Sequence, residues 1–511
     1  MLESLLAAMM EPAFYPKPPA SVTHSETHIS HLFFAGDLVY KIKKAVQFSF
    51  LDFSTLAKRR HYLQEELRLN RRLAPSVYLG VVPLAFDGLR WQLGGWSKPA
   101  EYALVMRRLP EKRMLTFLLE TRQANFEMMQ DLAKVLAGFH SRAEVARDLS
   151  PNSYLSVVKK YWYENLAEWE PFIPDSERKG LQAIKEFGAD FFERCHDLLT
   201  QRAAEGWVRD VHGDLHAEHI CFAPEGIEIF DCIEFSNELR CCDLASEIGF
   251  LVMDLCVRDG EALAEKLLAE YLSLMKDSEL PKLLPFFACY RALVRAKVHA
   301  LRLAGWNDET ARYLRFARRF TWDPLKPFLV MVCGLTGSGK STLARELAER
   351  LGLPAVNSDI VRKQIASKVG RETAPLNQGI YSSAMTEKTY AKLLRHAEKQ
   401  IRAGKGAILD ATFTRREARE KVIRLAEKYR IPLAVIHCSA PGATIGQRLH
   451  QRALAGTDIS DGRWEIYIAQ KAADEPIEEI PREDWLELNT DTALDEQVIA
   501  CENFLRTHLA R

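Results

Sequence analysis

The sequence predicts two domains of different fold class: an α+β domain, followed by an α/β domain with a parallel sheet flanked by helices. The first observation is length, because 511 residues exceed what one hydrophobic core usually supports. The second is an apolar run at 328–333, followed by a glycine-rich segment and a helix-forming stretch at 342–351. A continuous apolar strand is typical of a parallel sheet covered on both faces. The third is the order of elements before residue 320, where strand-like segments within 21–108 precede mainly helical segments.

Composition and charge narrow the class of protein. Hydrophobic residues make up 47% of the chain and charged residues 27%, and the formal net charge is zero, as in ordinary soluble globular proteins. From residue 328 onward, 27 Lys and Arg face 24 Asp and Glu, so charge does not support nucleic acid as a partner. No apolar run reaches the roughly 18 residues of a membrane span, and the first ten residues do not form a secretory signal. We therefore expect a cytoplasmic protein with no membrane partner.

Residues 334–341 read Gly-Leu-Thr-Gly-Ser-Gly-Lys-Ser, the pattern of a phosphate-binding loop. Glycines let backbone N–H groups surround a polyphosphate, the lysine reaches the outer phosphates, and the serine hydroxyl can hold Mg²⁺. The N-terminus of the following helix also attracts anions. We therefore expect ATP and Mg²⁺ as cofactors, with Ser341 as a metal ligand. The residues expected to contact nucleotide are Gly334, Leu335, Thr336, Gly337, Ser338, Gly339, Lys340, Ser341 and Thr342.

A second apolar strand in this half ends in an aspartate. Residues 407–410 read Ala-Ile-Leu-Asp. A carboxylate at the end of a strand beside the phosphate-binding loop is expected to position Mg²⁺ through water. The sequence therefore predicts Asp410 as a metal-site residue. The alternative is that Asp410 only caps the helix that follows.

Asp359 and Arg362 are three residues apart, which places both side chains on one face of a helix. The segment around them resembles the acceptor-site motif of polynucleotide-kinase-like and zeta-toxin-like P-loop kinases. The resemblance implies that Asp359 orients or deprotonates an acceptor hydroxyl and that Arg362 binds its anionic neighbour. The alternative is an N-capping aspartate with a surface arginine.

Arg448 and Arg452 are four residues apart and are followed by Gly456 and Asp461. This arrangement resembles the mobile lid of the same kinases. The resemblance implies that both arginines neutralise charge in the transition state and shield it from water. A solvated basic helix face is the alternative.

Residues 211–216 of the first half read Val-His-Gly-Asp-Leu-His. An aspartate held in such a turn can accept a proton from an attacking hydroxyl. Asp231 follows a short apolar strand further along the chain. These segments resemble the aminoglycoside phosphotransferase family, whose catalytic loop has the His-Gly-Asp-x-His pattern. The resemblance implies a two-lobed, protein-kinase-like fold in which Asp214 is the catalytic base, Asp231 a metal ligand and Asp243 a structural residue at a helix start.

The same resemblance extends to a small lobe. Lys41 lies on a predicted strand and is the candidate for pairing with the nucleotide phosphates, although Lys43 points to the same face. Glu66 in the following helix is the expected ion-pair partner, with adjacent Glu65 as the alternative. Residues 104–108 resemble the hinge whose backbone contacts adenine, which makes Met106 a nucleotide-binding candidate.

One position departs from the family pattern. His219 stands five residues after Asp214, where the family has an asparagine that serves as a second metal ligand. A neutral imidazole is a poor ligand for Mg²⁺, which prefers oxygen. His219 could act through water, or Glu218 or Glu234 could compensate. The first half is therefore either a second phosphotransfer site or a binding module.

As a whole, the chain resembles bacterial fusions of an aminoglycoside phosphotransferase-like domain with a zeta-toxin or polynucleotide-kinase-like P-loop domain. We expect a first domain at 1–325, with a small lobe at about 20–108 and a helical lobe at about 109–320, and a second domain at 326–511. The resemblance implies an ATP-dependent phosphotransferase acting on a hydroxyl of a small-molecule or nucleotide-like acceptor. Two ATP·Mg²⁺ sites are expected. The alternative is one active P-loop kinase regulated by a ligand-binding first domain.

Overall fold

The computed structural model describes residues 2–48, 51–94, 98–303, 305–366, 382–455 and 463–509. The chain divides into two compact units, Met1–Ala317 and Arg318–Arg511. The domain boundary at 325/326 remains a prediction. Over the described parts of the chain, every helix is too short or too polar to cross a lipid bilayer.

The first unit opens with a six-stranded antiparallel sheet, in the order β1-β2-β3-β8-β6-β7. Helix α2 packs against β6 and β8. Its N-terminus is capped by the Thr55 hydroxyl, which accepts a hydrogen bond from the Lys58 N–H. The elements of this part are α1 (Leu2–Met10), β1 (Val22–Glu26), β2 (Ser30–Ala35), β3 (Leu38–Lys43), β4 (Gln47–Phe48), β5 (Leu51–Asp52), α2 (Leu56–Asn70), β6 (Tyr78–Phe86), β7 (Trp91–Leu93) and β8 (Pro99–Arg107).

The rest of the first unit is mainly helical. Helix α9 packs on α10 and α11, and α10 packs on α4. Helix α9 is buried over most of its length, as expected for a central helix of this lobe. The helices are α3 (Leu115–Glu120), α4 (Phe126–Arg142), α5 (Pro151–Trp169), α6 (Arg178–Arg194), α7 (His196–Ala204), α8 (Asn237–Arg240), α9 (Leu244–Val257), α10 (Glu261–Met275), α11 (Leu280–Arg302) and α12 (Asp308–Arg319).

Two short strand pairs position the segments that carry the predicted acidic residues of the first unit. Strand β9 (Val208–Asp210) pairs with β12 (Cys241–Asp243), and β10 (Ile220–Ala223) pairs with β11 (Gly226–Ile229), both antiparallel. The loop between β9 and β10 carries Asp214. Asp231 follows β11, so both aspartates leave the ends of paired strands.

Buried charges hold the helices around these strands. The Arg202 guanidinium on α7 donates to the carboxylate of Asp243 at 2.8 Å and to that of Asp277 at 2.7 Å. The side chains of all three are at most 2% exposed. Asp243 also caps α9 by accepting the N–H of Ala245. Asp243 therefore has the structural place that the family resemblance implies.

The second unit is built on a five-stranded parallel sheet, in the order β14-β15-β13-β16-β17. Hydrophobic clusters cover both of its faces. All five residues of β13 are buried, which explains its unbroken apolar sequence. Its elements are β13 (Leu329–Cys333), α13 (Lys340–Leu351), β14 (Ala355–Asn357), α14 (Ser358–Ala366), α15 (Ser383–Arg402), β15 (Ala407–Asp410), α16 (Arg416–Tyr429), β16 (Leu433–Ser439), α17 (Gly442–Ala455), α18 (Trp464–Ala472), β17 (Trp485–Asn489) and α19 (Leu494–Leu509). The predicted fold class of both halves is confirmed.

Candidate active sites

The phosphate-binding loop joins β13 to α13, and its glycines adopt backbone conformations that other residues avoid. The φ angle is 137° at Gly334, 79° at Gly337 and 83° at Gly339. A Cβ atom at Gly334 would lie 2.3 Å from the carbonyl oxygen of Cys438. Glycine is therefore required where the loop passes β16. Helix α13 begins at Lys340, so its N-terminus opens onto the loop.

Asp410 lies beside the start of α13, at the end of β15. Its carboxylate is buried, and Oδ2 accepts a hydrogen bond from the Asn357 amide at 2.5 Å. The same amide lies 3.4 Å from the Ser341 hydroxyl. The other oxygen of Asp410, Oδ1, is buried and accepts no hydrogen bond from the described residues. A hydroxyl and a carboxylate oxygen with an unused lone pair form an oxygen-only donor set of the kind that Mg²⁺ prefers, so Ser341 and Asp410 would hold this ion.

Asn357 was not singled out by its sequence. It ends β14 and pairs in register with Asp410 across the parallel sheet. Its side-chain oxygen also accepts the N–H groups of Asp359 at 2.9 Å and Ile360 at 3.0 Å, which caps α14. The available signal was its place at the carboxyl end of a strand.

Asp359 and Arg362 face each other on α14, as their spacing predicts. The Arg362 guanidinium donates to Asp359 Oδ1 at 2.8 Å. Arg362 is buried, so it is not the surface arginine of the alternative interpretation. Asn357, rather than Asp359, supplies the cap of this helix.

A cavity of about 430 Å³ lies between the phosphate-binding loop and α14. Lys340, Ser341 and Asp410 line it together with Asp359 and Arg362. Helices α15, α16 and α18 form the remaining walls. They contribute Thr386, Glu387, Tyr390, Glu417, Lys421, Ile466 and Gln470, among others, and the loop before α16 adds Thr412, Thr414 and Arg415.

Gln470 on α18 is a second residue that the sequence did not reveal. Its side-chain oxygen accepts the Thr336 N–H of the phosphate-binding loop at 2.9 Å. The N–H group of Thr336 is therefore already hydrogen-bonded, and both Thr336 and Gln470 line the cavity. No local pattern marks such a residue, because the contact joins positions 134 apart in sequence.

The predicted lid arginines do not line this cavity. Arg448 on α17 donates to the carbonyl of Thr490 at 2.6 Å and to its hydroxyl at 3.1 Å. The Thr490 hydroxyl in turn donates to the Ser338 carbonyl of the loop at 2.7 Å. Arg452 is half-buried on the same helix. Two further lid positions, Gly456 and Asp461, lie outside the described residues.

In the first unit, Lys41 and Lys43 on β3 share one glutamate. Lys41 Nζ lies 2.7 Å from Glu66 and 3.1 Å from Asp231. Lys43 Nζ lies 2.8 Å from Glu66 and 2.5 Å from Glu234. Burial alone would lower the pKa of Lys41, but the carboxylates of Asp231 and Glu66 outweigh it and raise that pKa above its ordinary value. Both lysines are therefore charged, and Lys41 is the one beside Asp231.

The neighbouring candidates fit this arrangement. Glu65 points away and pairs with Arg68 on the helix surface, which leaves Glu66 as the ion-pair partner. Met106 lies on β8 opposite Val39 and Tyr78, and is half-buried. The Tyr78 hydroxyl accepts the backbone N–H of Asp231 at 3.1 Å. Met106 therefore lies on the strand that flanks this ion-paired centre.

A buried carboxylate on α9 binds the backbone of the loop that carries Asp214. Glu247 on α9 accepts the N–H groups of His212 at 2.8 Å and Gly213 at 3.0 Å. His212 lies 2.8 Å from the Phe230 carbonyl through Nε2, and its Nδ1 accepts the Asp214 N–H at 3.3 Å. Burial lowers the pKa of His212 to about 3, so its ring is neutral. Loop and strand ends are thereby fixed to each other.

Two histidines surround the Asp214 carboxylate. Its Oδ2 atom lies 3.4 Å from His216 Nε2 and 3.6 Å from His219 Nδ1. Burial would raise the pKa of Asp214, but His216 and His219 more than offset it and hold that pKa below its usual range. Because 36% of the side chain is exposed, water reduces the size of this shift. Asp214 is ionised near neutral pH, as a carboxylate that takes up a proton must be.

His219 lies between the two predicted acidic groups. Its Nδ1 is 2.9 Å from the Asp214 carbonyl oxygen, and its Nε2 is 3.6 Å from Asp231 Oδ2. Asp231 has a φ of 62°, a left-handed conformation that is uncommon outside glycine and often found at functional sites.

The two glutamates that could have replaced the missing asparagine are engaged elsewhere. Glu234 binds Lys43. Glu218 accepts hydrogen bonds from Arg258 at 2.9 Å and Arg295 at 3.0 Å. Among the described residues, the groups that contact the Asp231 carboxylate are therefore the Lys41 ammonium and the His219 imidazole, and neither is an oxygen ligand of the kind that Mg²⁺ prefers.

Two family models match the chain. That of the phosphotransferase enzyme family matches residues 35–280, and that of an AAA domain matches residues 329–476. An uncharacterized protein of Mycobacterium tuberculosis is 32% identical over 443 residues, which cover 85% of this chain and 87% of that protein. The chain belongs to the same family as this mycobacterial protein. A protein of Mycobacterium bovis matches to the same extent. The fusion of a phosphotransferase domain with a P-loop kinase domain, which the sequence motifs indicated, is confirmed.

Shorter parts of the chain are similar to known kinases. A 2-phosphoglycerate kinase of Pyrococcus furiosus is 40% identical over 72 residues, 14% of this chain and 23% of that protein. The crystal structure of a sugar kinase from Janibacter sp. covers 36% of this chain and 96% of its own, with 20% identity and a TM-score of 0.29. Such limited similarities say nothing about the acceptor. The two matched family models support a phosphotransferase.

Proposed function

We propose that the protein transfers the γ-phosphate of ATP to a hydroxyl of a small-molecule or nucleotide-like acceptor, in the cavity of the second unit. One observation carries the proposal: Lys340, Ser341 and Asp410 line the same cavity as Asp359 and Arg362. The nucleotide-binding and acceptor-binding groups of a kinase must share one space, because the acceptor oxygen has to reach the terminal phosphate.

At the nucleotide end, the backbone of the glycine-rich loop and the N-terminus of α13 bind the phosphates, and Lys340 contacts the outer ones. Ser341 and Asp410 hold Mg²⁺, which when bound supplies positive charge to the phosphates. Asn357 keeps Asp410 and Ser341 together through its amide. We assign Arg448 and Arg452 to the lid. Arg448 donates to the Thr490 hydroxyl, which in turn donates to the Ser338 carbonyl of the loop.

At the acceptor end, Asp359 accepts the hydrogen bond of the acceptor hydroxyl and Arg362 keeps the carboxylate in place. The hydroxyl oxygen attacks the γ-phosphorus, its proton goes to Asp359, and the bond to the bridging oxygen breaks to release ADP. Arg362 and Arg415 both line the cavity, so an anionic group beside the hydroxyl is favoured.

A second nucleotide site in the first unit is supported by the Lys41–Glu66 ion pair next to Asp231. In protein-kinase-like folds this pair positions the nucleotide phosphates. In this proposal, Met106 belongs to the segment that contacts adenine, and Asp214 accepts the proton of an acceptor hydroxyl. The alternative function for this unit is a ligand-binding module that regulates the P-loop kinase, which is favoured by His219 in place of an oxygen ligand.

The proposal is tested by incubating the full-length protein with γ-labelled ATP and pools of hydroxyl-bearing metabolites. Lys340→Ala should lose the labelled product of the P-loop site, and Asp359→Asn should lose it with ATP binding retained. Lys399→Ala, an exposed lysine at the end of α15, is the matched control and should behave as wild type. A labelled product made equally well by wild type, Lys340→Ala and Asp359→Asn would overturn the assignment.

The two functions of the first unit are separated by calorimetry with ATP on the full-length Lys340→Ala protein. Residual metal-dependent binding that disappears in Lys41→Ala indicates a second nucleotide site. A product lost only in Asp214→Asn assigns catalysis to that site. Absence of residual binding favours the regulatory module.

A further inference from the structure

We propose that His219 makes the first unit select a divalent transition-metal ion, such as Mn²⁺, which His219 Nε2 and Asp231 Oδ2 bind together. The inference deepens the proposed second nucleotide site and rests on it only for the nucleotide that would complete the coordination of the ion. The carrying observation is the hydrogen-bonding state of one imidazole ring.

The ring orientation determines which nitrogen carries the proton. His219 Nδ1 lies 2.9 Å from the backbone carbonyl oxygen of Asp214. A carbonyl oxygen can only accept, so Nδ1 must be the donor. In the neutral ring, Nε2 therefore has an unprotonated lone pair.

That lone pair faces a second acceptor. Nε2 lies 3.6 Å from Asp231 Oδ2, while the other carboxylate oxygen of Asp231 accepts from Lys41 at 3.1 Å. Two facing acceptors repel each other unless a cation or proton lies between them. Two ligands held at about 2.1 Å from one ion lie roughly 3.0–3.4 Å apart, which is close to the separation seen here.

The arrangement is the one that metal-binding histidines usually have. Such a histidine donates its second ring N–H to a carbonyl or carboxylate, which fixes the ring and the tautomer. The family's asparagine would offer Mg²⁺ an oxygen at this position. Imidazole nitrogen instead favours transition-metal ions over Mg²⁺.

A different grouping of the same side chains is less consistent with the hydrogen bonds. Asp214, His216 and His219 each offer an atom close enough to share an ion. The His219 atom that faces Asp214 Oδ2 is Nδ1, at 3.6 Å, and this nitrogen is already the donor to the carbonyl. The ion is therefore assigned to the Nε2 side, and Asp214 stays available to the acceptor hydroxyl.

The test is pulsed electron paramagnetic resonance of Mn²⁺ bound to the full-length Lys340→Ala protein, with ADP and with Mn²⁺ alone. Lys340→Ala is used because it should weaken nucleotide binding by the P-loop site. The spectrum should show coupling to a ¹⁴N nucleus that disappears in His219→Asn and remains in His216→Gln. His219→Asn should weaken Mn²⁺ binding by about tenfold and bind Mg²⁺ at least as well as the parent protein.

Several results would overturn the inference. They are a parent spectrum without nitrogen coupling, coupling unchanged in His219→Asn, or coupling lost in His216→Gln instead. Circular dichroism of each variant shows that it is folded, and His219→Gln replaces any His219→Asn protein that is not. Nitrogen-coupled Mn²⁺ without ADP binding would keep the metal assignment and reject the second nucleotide site.

Discussion

Lys41 and Lys43 show how two neighbouring lysines on one strand face take different roles. The Lys43 side chain is fully buried between Glu66 and Glu234, whereas Lys41 is 12% exposed and contacts Asp231. Lys43→Met would leave two carboxylates without one of their partners, so we expect the free energy of unfolding to fall by about 3–5 kcal/mol. Lys41→Met should instead weaken ATP binding. Urea denaturation and calorimetry of both variants check this division.

The control for this prediction is Lys44→Met. Among the described residues, Lys44 forms an ion pair only with the exposed Glu26. It should change stability by less than about 1 kcal/mol. Equal losses of stability in Lys41→Met and Lys43→Met would contradict the division of roles.

Glu247 gives the loop that carries Asp214 a dependence on pH. Burial raises the pKa of Glu247 from 4.5 to about 7. The folded state therefore holds this proton more tightly than the unfolded chain, and the stabilisation is complete below pH 4.5 and is lost as pH rises through 7. We expect Glu247→Gln to remove this part of the pH dependence of the free energy of unfolding, by at most about 3 kcal/mol. Denaturation curves between pH 4.5 and 8 measure it, and an unchanged slope would disprove it.

Residues whose role depends on local sequence were predictable, and those placed by the sheet were not. Asp214, Glu66 and Lys340 lie in patterns that span a few residues, and Glu66 pairs with Lys41 as its sequence position predicts. Asn357 reaches Asp410 because two parallel strands are in register, and Gln470 reaches Thr336 across the fold. Neither relation can be read from spacing along the chain.

The glycine-rich loop must already have its observed backbone conformation for its N–H groups to bind a nucleotide. Gly334→Ala would place a Cβ atom 2.3 Å from the Cys438 carbonyl at a φ of 137°, so the loop must shift. We expect at least tenfold weaker ATP binding at this site and a lower melting temperature. Gly442→Ala, at the start of α17 with no atom closer than 4.0 Å, is the control. Calorimetry with ATP distinguishes them, and normal binding by Gly334→Ala would refute the prediction.

The helices of the first unit depend on the buried Arg202. Arg202→Met would leave Asp243 and Asp277 without their cation, and Asp243 also caps α9. We expect a loss of about 3–5 kcal/mol in the free energy of unfolding. Arg194→Met, whose exposed pair with Asp190 spans one turn of α6, should cost less than about 1 kcal/mol. Comparable losses in the two variants would argue against this support of α9.

Sequence periodicity predicted some secondary-structure elements better than others. Strand β13 and helix α13 match the apolar run and the helix-forming stretch that predicted them. The short pairs β9–β12 and β10–β11 join segments with few residues each, so their pairing needed the tertiary fold. These pairs, more than the long helices, set the positions of Asp214 and Asp231.

For the molecule as a whole, the order of motifs was sufficient to predict a fusion of two kinase-type units. Each unit has its own sheet and its own candidate nucleotide site. The acceptor is a different matter, because the cavity of the second unit is lined by residues from α14, α15, α16 and α18 that no single motif contains. The residues that line the cavity, rather than the family membership, therefore determine which acceptor binds.

The most direct measurement is the rate of ADP formation from ATP by the full-length protein in an Asp214→Asn background, with and without Lys340→Ala. The P-loop unit is the proposed site of phosphoryl transfer, so Asp214→Asn alone should retain turnover. Adding Lys340→Ala should reduce that turnover by at least about a hundredfold, since the outer phosphates lose the charge of the lysine that contacts them. Turnover that stays the same when Lys340→Ala is added would contradict the account.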